Sequence, residues 1–393
     1  MDKNRMYDLA FQLKKDKIWK KLYDTELFAV RLDDGQTGYC CVLGYNGEVL
    51  ALTLYPDEAS FQTFHNLLMD YDELMAIEDL PVQDCIQCCM EEKDELTPEE
   101  LAEVRGYAKE KGIALRGANA YPQFVRYRPY CFPWRLKDEA EWRGIAHALE
   151  ITHRLTEYLG SHRKEELGIH SILEDDSFIP LLTEDGDGLR AEHIPLPPKS
   201  LPVYPQPTPV DDMTAAKLGK LPKKGTLQCH IVRMQEPVQG DPDEAPYLPA
   251  LFVMVQQESG MALSPVFSDG PKIDPDVFQK ALVDAMLQDK ACPAEIKVLN
   301  ERTAALLKDL CEKLKIRLSR VEELPELEEL LDKMVPPDEE DVDEANEQLD
   351  DIMDMLKNLS DEELRELPPF MKKQLLELAA YGVIPGELAD RLK

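Results

Sequence analysis

Between Tyr121 and Arg135 the chain reads Tyr-Pro-Gln-Phe-Val-Arg-Tyr-Arg-Pro-Tyr-Cys-Phe-Pro-Trp-Arg. Aromatic rings interleave with arginines, and the prolines at 122, 129 and 133 keep the segment out of a helix. If the segment runs extended throughout, Phe124, Arg126, Arg128, Tyr130, Phe132 and Trp134 share one face. Rings and guanidinium groups on a common face can stack a base or clamp a phosphate. Arg126, Arg128 and Arg135, with Tyr127, Tyr130 and Trp134, are therefore candidate binders of a nucleotide-like or other small anionic ligand. The plainer reading is that the rings are core and the arginines solvate a sheet edge.

Local charge sharpens the candidate. Residues 105–164 carry twelve Lys or Arg against six Asp or Glu, and residues 1–21 carry seven against three, within a chain of net charge −32. The overall charge disfavours nucleic acid and anionic membrane as partners, while a basic face on the first part of the chain stays compatible with it.

Cysteine is the next chemistry to weigh. Cys85-x-x-Cys88-Cys89 contains a CxxC, and Cys40, Cys41 and Cys131 lie in the same part of the chain. Zinc needs four converging ligands, generally from two turns, and no second CxxC follows. A strand would also point Cys85 and Cys89 one way and Cys88 the other. These cysteines are weak metal candidates, and no cofactor is implied. Glu150-x-x-His153 lacks the second such motif of a di-metal bundle. Asp185-Gly186-Asp187-Gly188 lacks the spaced ligands of a calcium loop and reads as a hairpin turn. No phosphate-binding loop, dinucleotide fingerprint, GxSxG or HExxH occurs, and 77 acidic residues make carboxylate pairs uninformative.

The elements that must position these residues are legible in part. A helix is expected over residues 6–23, with Tyr7, Phe11, Ile18 and Leu22 on one face. Strands follow at 27–32, 37–43 and 48–55, separated by the hairpin signals Asp34-Gly35 and Asn46-Gly47. A helix over 57–69, a buried strand over 83–90 and a long helix over 137–159 come next, and Thr97-Pro98-Glu99-Glu100 forms a capping box between them. Seven prolines between 195 and 209 read as a stiff linker. Beyond it the order βββαβαβ is expected, with Asp274-Pro275 and Asn300 starting the helices. From residue 321 the chain is acidic, yet Leu349, Ile352, Met353 and Leu356 recur at helical spacing.

Two stretches carry a resemblance. WKKLYDTELFAVRLDDGQTGYCCVLGYNGEVLALTL (19–54) resembles the opening of an uncharacterised bacterial family. ALFVMVQQESGMALSPVF with PAEIKVLNERTAALLKDLCEKLKIRL resembles a second domain of unknown function that accompanies it. The resemblance implies bacterial origin and two paired domains, and carries over no catalytic residue.

The expected fold class is α+β. The expected divisions are an N-terminal α+β domain (1–194), a Pro-rich linker (195–224), a second α+β domain (225–320) and an acidic amphipathic helical tail (321–393). The absence of a signal core or a 20-residue apolar run, and an odd number of scattered cysteines, point to a cytoplasmic location without membrane contact. With no catalytic constellation, the leading expectation is a non-catalytic interaction or regulatory protein whose tail docks on a protein partner. An anionic-ligand binder or enzyme using segment 121–135, and a Cys-based zinc protein, are the alternatives.

Overall fold

The computed structural model describes residues 3–47, 49–69, 83–186, 188–198, 203–234 and 236–334. The chain divides into two compact units, Met1–Leu327 and Glu328–Lys393. Most of the expected acidic tail lies outside the described residues.

The first unit is α+β with two sheets. Helix α1 (Lys3–Asp16) stops earlier than its apolar spacing predicts, because Lys17 turns into the left-handed region at φ 50°. A short 3₁₀ turn at Ile18–Lys20 then tucks Ile18 and Trp19 into the core. Strands β1 (Phe28–Arg31), β2 (Thr37–Leu43) and β3 (Leu50–Tyr55) form the expected antiparallel meander. Gly35 and Gly47 supply the positive φ that its turns require.

Helix α2 (Glu58–Met69) precedes β4 (Cys85–Glu91), and α3 (Pro98–Lys111) links β4 to its antiparallel neighbour β5 (Tyr121–Tyr127). The capping box of α3 forms as read: Thr97 Oγ1 accepts from the Glu100 N–H, and the Glu100 carboxylate accepts from the Thr97 N–H at 2.9 Å. After β6 (Trp134–Arg135), α4 (Glu139–Tyr158) starts on the Asp138 cap. The sheet is completed by the hairpin β7 (Phe178–Asp185) and β8 (Gly188–Pro195), which joins β1 in parallel. Its order is β6-β5-β4-β3-β2-β1-β7-β8.

Helices α1 and α4 bury one face through Met6, Leu13, Ile145, Leu149 and Leu155. Phe61 of α2 packs on the opposite face with Tyr39 and Tyr55. Each element therefore buries the stripe its periodicity predicts.

The Pro-rich stretch leads into α5 (Asp212–Leu218), a helix capped by Asp211 inside the segment read as linker. Leu218 is fully buried among the second core's residues, so this part of the stretch packs rather than spans. Strands β9 (Thr226–Arg233), β10 (Ala250–Gln256), β11 (Met261–Ala262) and β12 (Val266–Phe267) follow. Helix α6 (Pro275–Asp289), β13 (Glu295–Val298), α7 (Glu301–Leu314) and β14 (Arg317–Arg320) complete the second sheet, whose order is β11-β10-β9-β13-β14 with β12 also on β10. Asp274 and Asn300 cap α6 and α7 as their sequence signals indicate. Helix α8 (Pro325–Asp332) begins against β9, where the Gln228 side chain accepts from the Leu327 N–H at 3.0 Å. Among the described residues, no helix is long and apolar enough to cross a membrane.

Candidate functional site

Segment 121–135 does not run as one extended face. β5 ends at Tyr127, the chain turns over Arg128–Cys131, and β6 returns with Val125 opposite Arg135 and Arg126 opposite Trp134. Tyr130 makes the reversal by entering the left-handed region at φ 60°, and the Cys131 N–H closes the turn on Arg128 O at 3.0 Å. Pro129 and Pro133 offer no backbone donor, so the ladder cannot continue through them. The six residues expected on one face are thus split between three environments.

Arg126 occupies the first. It is buried, and its guanidinium pairs with Asp84 (Nη2 to Oδ1, 2.5 Å) and Glu141 (Nε to Oε1, 2.7 Å). It also donates to the carbonyls of Cys85, at 3.1 Å, and Tyr127. Desolvation alone would lower its pKa, but hydrogen bonding and charge from Glu141 and Asp84 outweigh it and hold the group above its ordinary value. Arg128, half-exposed, reaches the same Glu141 oxygen at 3.4 Å. Arg126 is therefore a permanently charged tie between β4, β5 and α4.

Tyr130 occupies the second. Its carbonyl accepts from the Leu248 N–H at 2.8 Å, and the Phe132 N–H donates to Pro246 O at 2.8 Å. Cys131 forms a bridge with Tyr247. The Arg233 guanidinium lies 3.7 Å from the Tyr130 ring centroid, and Arg302 donates to its hydroxyl at 3.3 Å. The tip of the hairpin is thus the joint between the first sheet and the approach to β10 of the second.

The third environment is a cleft of about 1080 Å³. Tyr127, Trp134 and Arg135 line it beside Phe124, which the sequence placed on the shared face, and beside Tyr7 and Trp142, which sequence reasoning did not assign to a site. Phe124 packs on Trp142 with centroids 5.1 Å apart. Around these rings stand Glu91, Glu95, Glu99, Glu100 and Glu103, against Lys3, Arg135 and Lys137.

Two of those glutamates are already engaged. Glu100 serves the α3 cap and accepts from Gln123 Nε2 at 3.3 Å, and Glu103 pairs with Lys3 at 2.7 Å. Glu99 is mostly solvated, 3.6 Å from Arg135, and Glu95 is exposed. The available signal was Glu99-Glu100 in the Thr97 capping box, which read only as a helix start because nothing local says that α3 begins beside β5.

No lining residue is Cys, His or Ser. Burial pushes the Tyr127 hydroxyl up to about 12, and burial with the adjacent Glu103 raises Tyr7 as well. Both phenols are neutral at physiological pH and can donate hydrogen bonds but not act as bases.

The cysteines are divided as the strand pattern requires. Cys88 faces the core formed by α1 and α4, while Cys85 faces the α2 side with Cys41. Cys89, also on that side, packs with Ala51 and Val125. Burial raises all three thiols, Cys85 to about 12. Among the described residues no group of three His, Cys, Asp or Glu converges on a metal position.

Two family models match this chain. Residues 4–170 match Domain of unknown function (DUF7309), and residues 214–335 match Domain of unknown function (DUF6930). The pairing that the resemblance implied is present. No curated protein matches. Apart from Lys3 and Pro242, the cleft lies inside the first match, whereas β7 and β8 complete its sheet from outside that match.

Proposed function

We propose that this is a cytoplasmic, bacterial, non-catalytic protein-interaction protein whose first domain binds its partner in the cleft at the β5–β6 hairpin. The observation that carries this reading is the cleft's composition: an aromatic floor and a glutamate rim, with no Cys, Ser or His among the lining residues. Aromatic anchors in a concave site are the usual source of binding energy at protein interfaces. The acidic amphipathic segment beyond residue 334 is a second binding element of helix-in-groove type on the strength of its apolar spacing.

Site-specific photo-crosslinking tests the cleft. A benzophenone side chain at Glu99 is expected to give a discrete protein adduct in cells, and the same group at exposed Met261 on the second sheet is not. Equal adducts from both positions, or a turnover activity abolished by cleft substitutions, would overturn the reading.

A second reading is an anionic small ligand held by Arg128 and Arg135. Its support is that both side chains are half-exposed and that their ion pairs among the described residues are long, 3.4 to 3.9 Å. Thermal shift with phosphate and nucleotides tests it. A ligand at 100 times its Kd adds about 2.7 kcal/mol, and a null result with every anion removes this reading.

A further inference from the structure

The cleft contains a feature that the lining alone does not express. β5 lies between β4 and β6, but β6 pairs only with Val125 and Arg126. Along Tyr121–Phe124 the outer side of β5 has no strand partner among the described residues, and Pro122, Gln123 and Phe124 line the cleft. An open strand edge is a template for another strand, and proteins commonly blunt such edges with charge or proline. Here Pro122 removes one backbone donor from this stretch.

The rim says what kind of strand fits. Glu95 and Glu99 are exposed carboxylates on the cleft wall, and the glutamates outnumber the basic side chains. A segment of alternating character would place one set of side chains on the rings of Phe124, Trp134 and Trp142, and the other set towards the carboxylates. Apolar side chains suit the aromatic floor, and the charged ends of Lys and Arg suit the rim.

We propose that the cleft captures a short, extended, Lys- or Arg-bearing segment of a partner protein, added as a strand along Tyr121–Phe124. This rests on the cleft being the binding site and goes further by naming the mode and chemistry of the occupant.

The test is fluorescence anisotropy of the full chain with a labelled peptide alternating arginine and valine. Two comparison peptides have glutamate in place of arginine, or alternate backbone amides N-methylated. Expected is saturable binding of the first, weakened about ten-fold or more by either change, and about ten-fold by the double substitution Glu95→Lys with Glu99→Lys. Both substituted positions are exposed, and an unchanged unfolding midpoint would show that the double variant folds.

Equal binding of the arginine and glutamate peptides overturns the charge argument. Equal binding of the N-methylated peptide overturns strand addition, while the cleft remains the site if the double substitution still weakens binding. Binding indifferent to Glu95→Lys with Glu99→Lys overturns the proposal and the cleft reading together. No binding at millimolar peptide overturns the proposal alone, because the crosslinking test reports independently on the cleft.

Discussion

The two halves of the β5–β6 hairpin use the same vocabulary for opposite ends. At its base, Phe124, Tyr127 and Trp134 leave their rings beside a cleft whose rim is acidic. At its tip, Tyr130 is enclosed by Arg233 and Arg302 and stitched to Leu248, while Phe132 is stitched to Pro246. The base leaves a strand edge open, and the tip closes one. Rings and cations in one segment are thus not evidence for one site; the partners that folding brings to them decide.

The largest expected effect comes from the residue that supports the base. Arg126→Ala removes the cation that Asp84 and Glu141 share, leaving Glu141 the 3.4 Å contact with Arg128, and is expected to cost about 3–5 kcal/mol, read from urea unfolding. Arg128→Ala, half-exposed and held at 3.4 Å, is expected to cost under about 1 kcal/mol by the same measurement. Equal costs would mean that Arg126 is not the structural tie between β4, β5 and α4.

Alkaline titration separates the hairpin tip from the neighbouring strand β4 through their thiols. Burial raises Cys85 to about 12, against an ordinary thiol value near 8.5, so the native state holds its proton after the unfolded chain has released it. The stability this contributes is full below about pH 8.5 and is lost as pH rises from there through about 12. Cys131 at the tip is only half-buried. At pH 8, iodoacetamide is expected to label Cys131 in the native protein and to reach Cys85, Cys88 and Cys89 only on unfolding, as mass spectrometry would read. Native labelling of Cys88 at the rate of Cys131 would contradict the packing described for β4.

A smaller effect is expected at the joint. Tyr130→Ala removes the Arg233 stack and the Arg302 hydrogen bond, at a cost of about 2 kcal/mol in calorimetry. Tyr130→Gly is expected to cost about 1 kcal/mol less than alanine, because glycine adopts φ 60° without strain. If alanine and glycine behave alike, the left-handed turn is not what shapes the tip. The smallest effect belongs to the rim: Glu99→Lys, on an exposed first-turn residue, is expected to shift stability by about 0.5 kcal/mol.

Local signals determined much of the fold. The Thr97 capping box, the Asp274 and Asn300 caps, the Asn46-Gly47 turn and the alternation that splits Cys85 and Cys89 from Cys88 are all interactions within a few residues, and each forms as its spacing dictates. The reading failed where distant parts of the chain compete. Proline content marked residues 195–224 as linker, yet Asp211 caps a helix there and Leu218 is buried with the second core. Alternation alone predicted one face for 124–134, yet backbone geometry at Tyr130 and pairing with β10's approach folded it back.

The sequence by itself therefore determined which residues can cap, turn and alternate, because those energies depend on neighbours in the chain. Only the tertiary structure decided that Arg126 is buried in ion pairs with Asp84 and Glu141, that Tyr130 is a joint and that the acidic start of α3 faces the rings of β5 and β6. Charge pairing and burial act through space between segments that no local pattern connects.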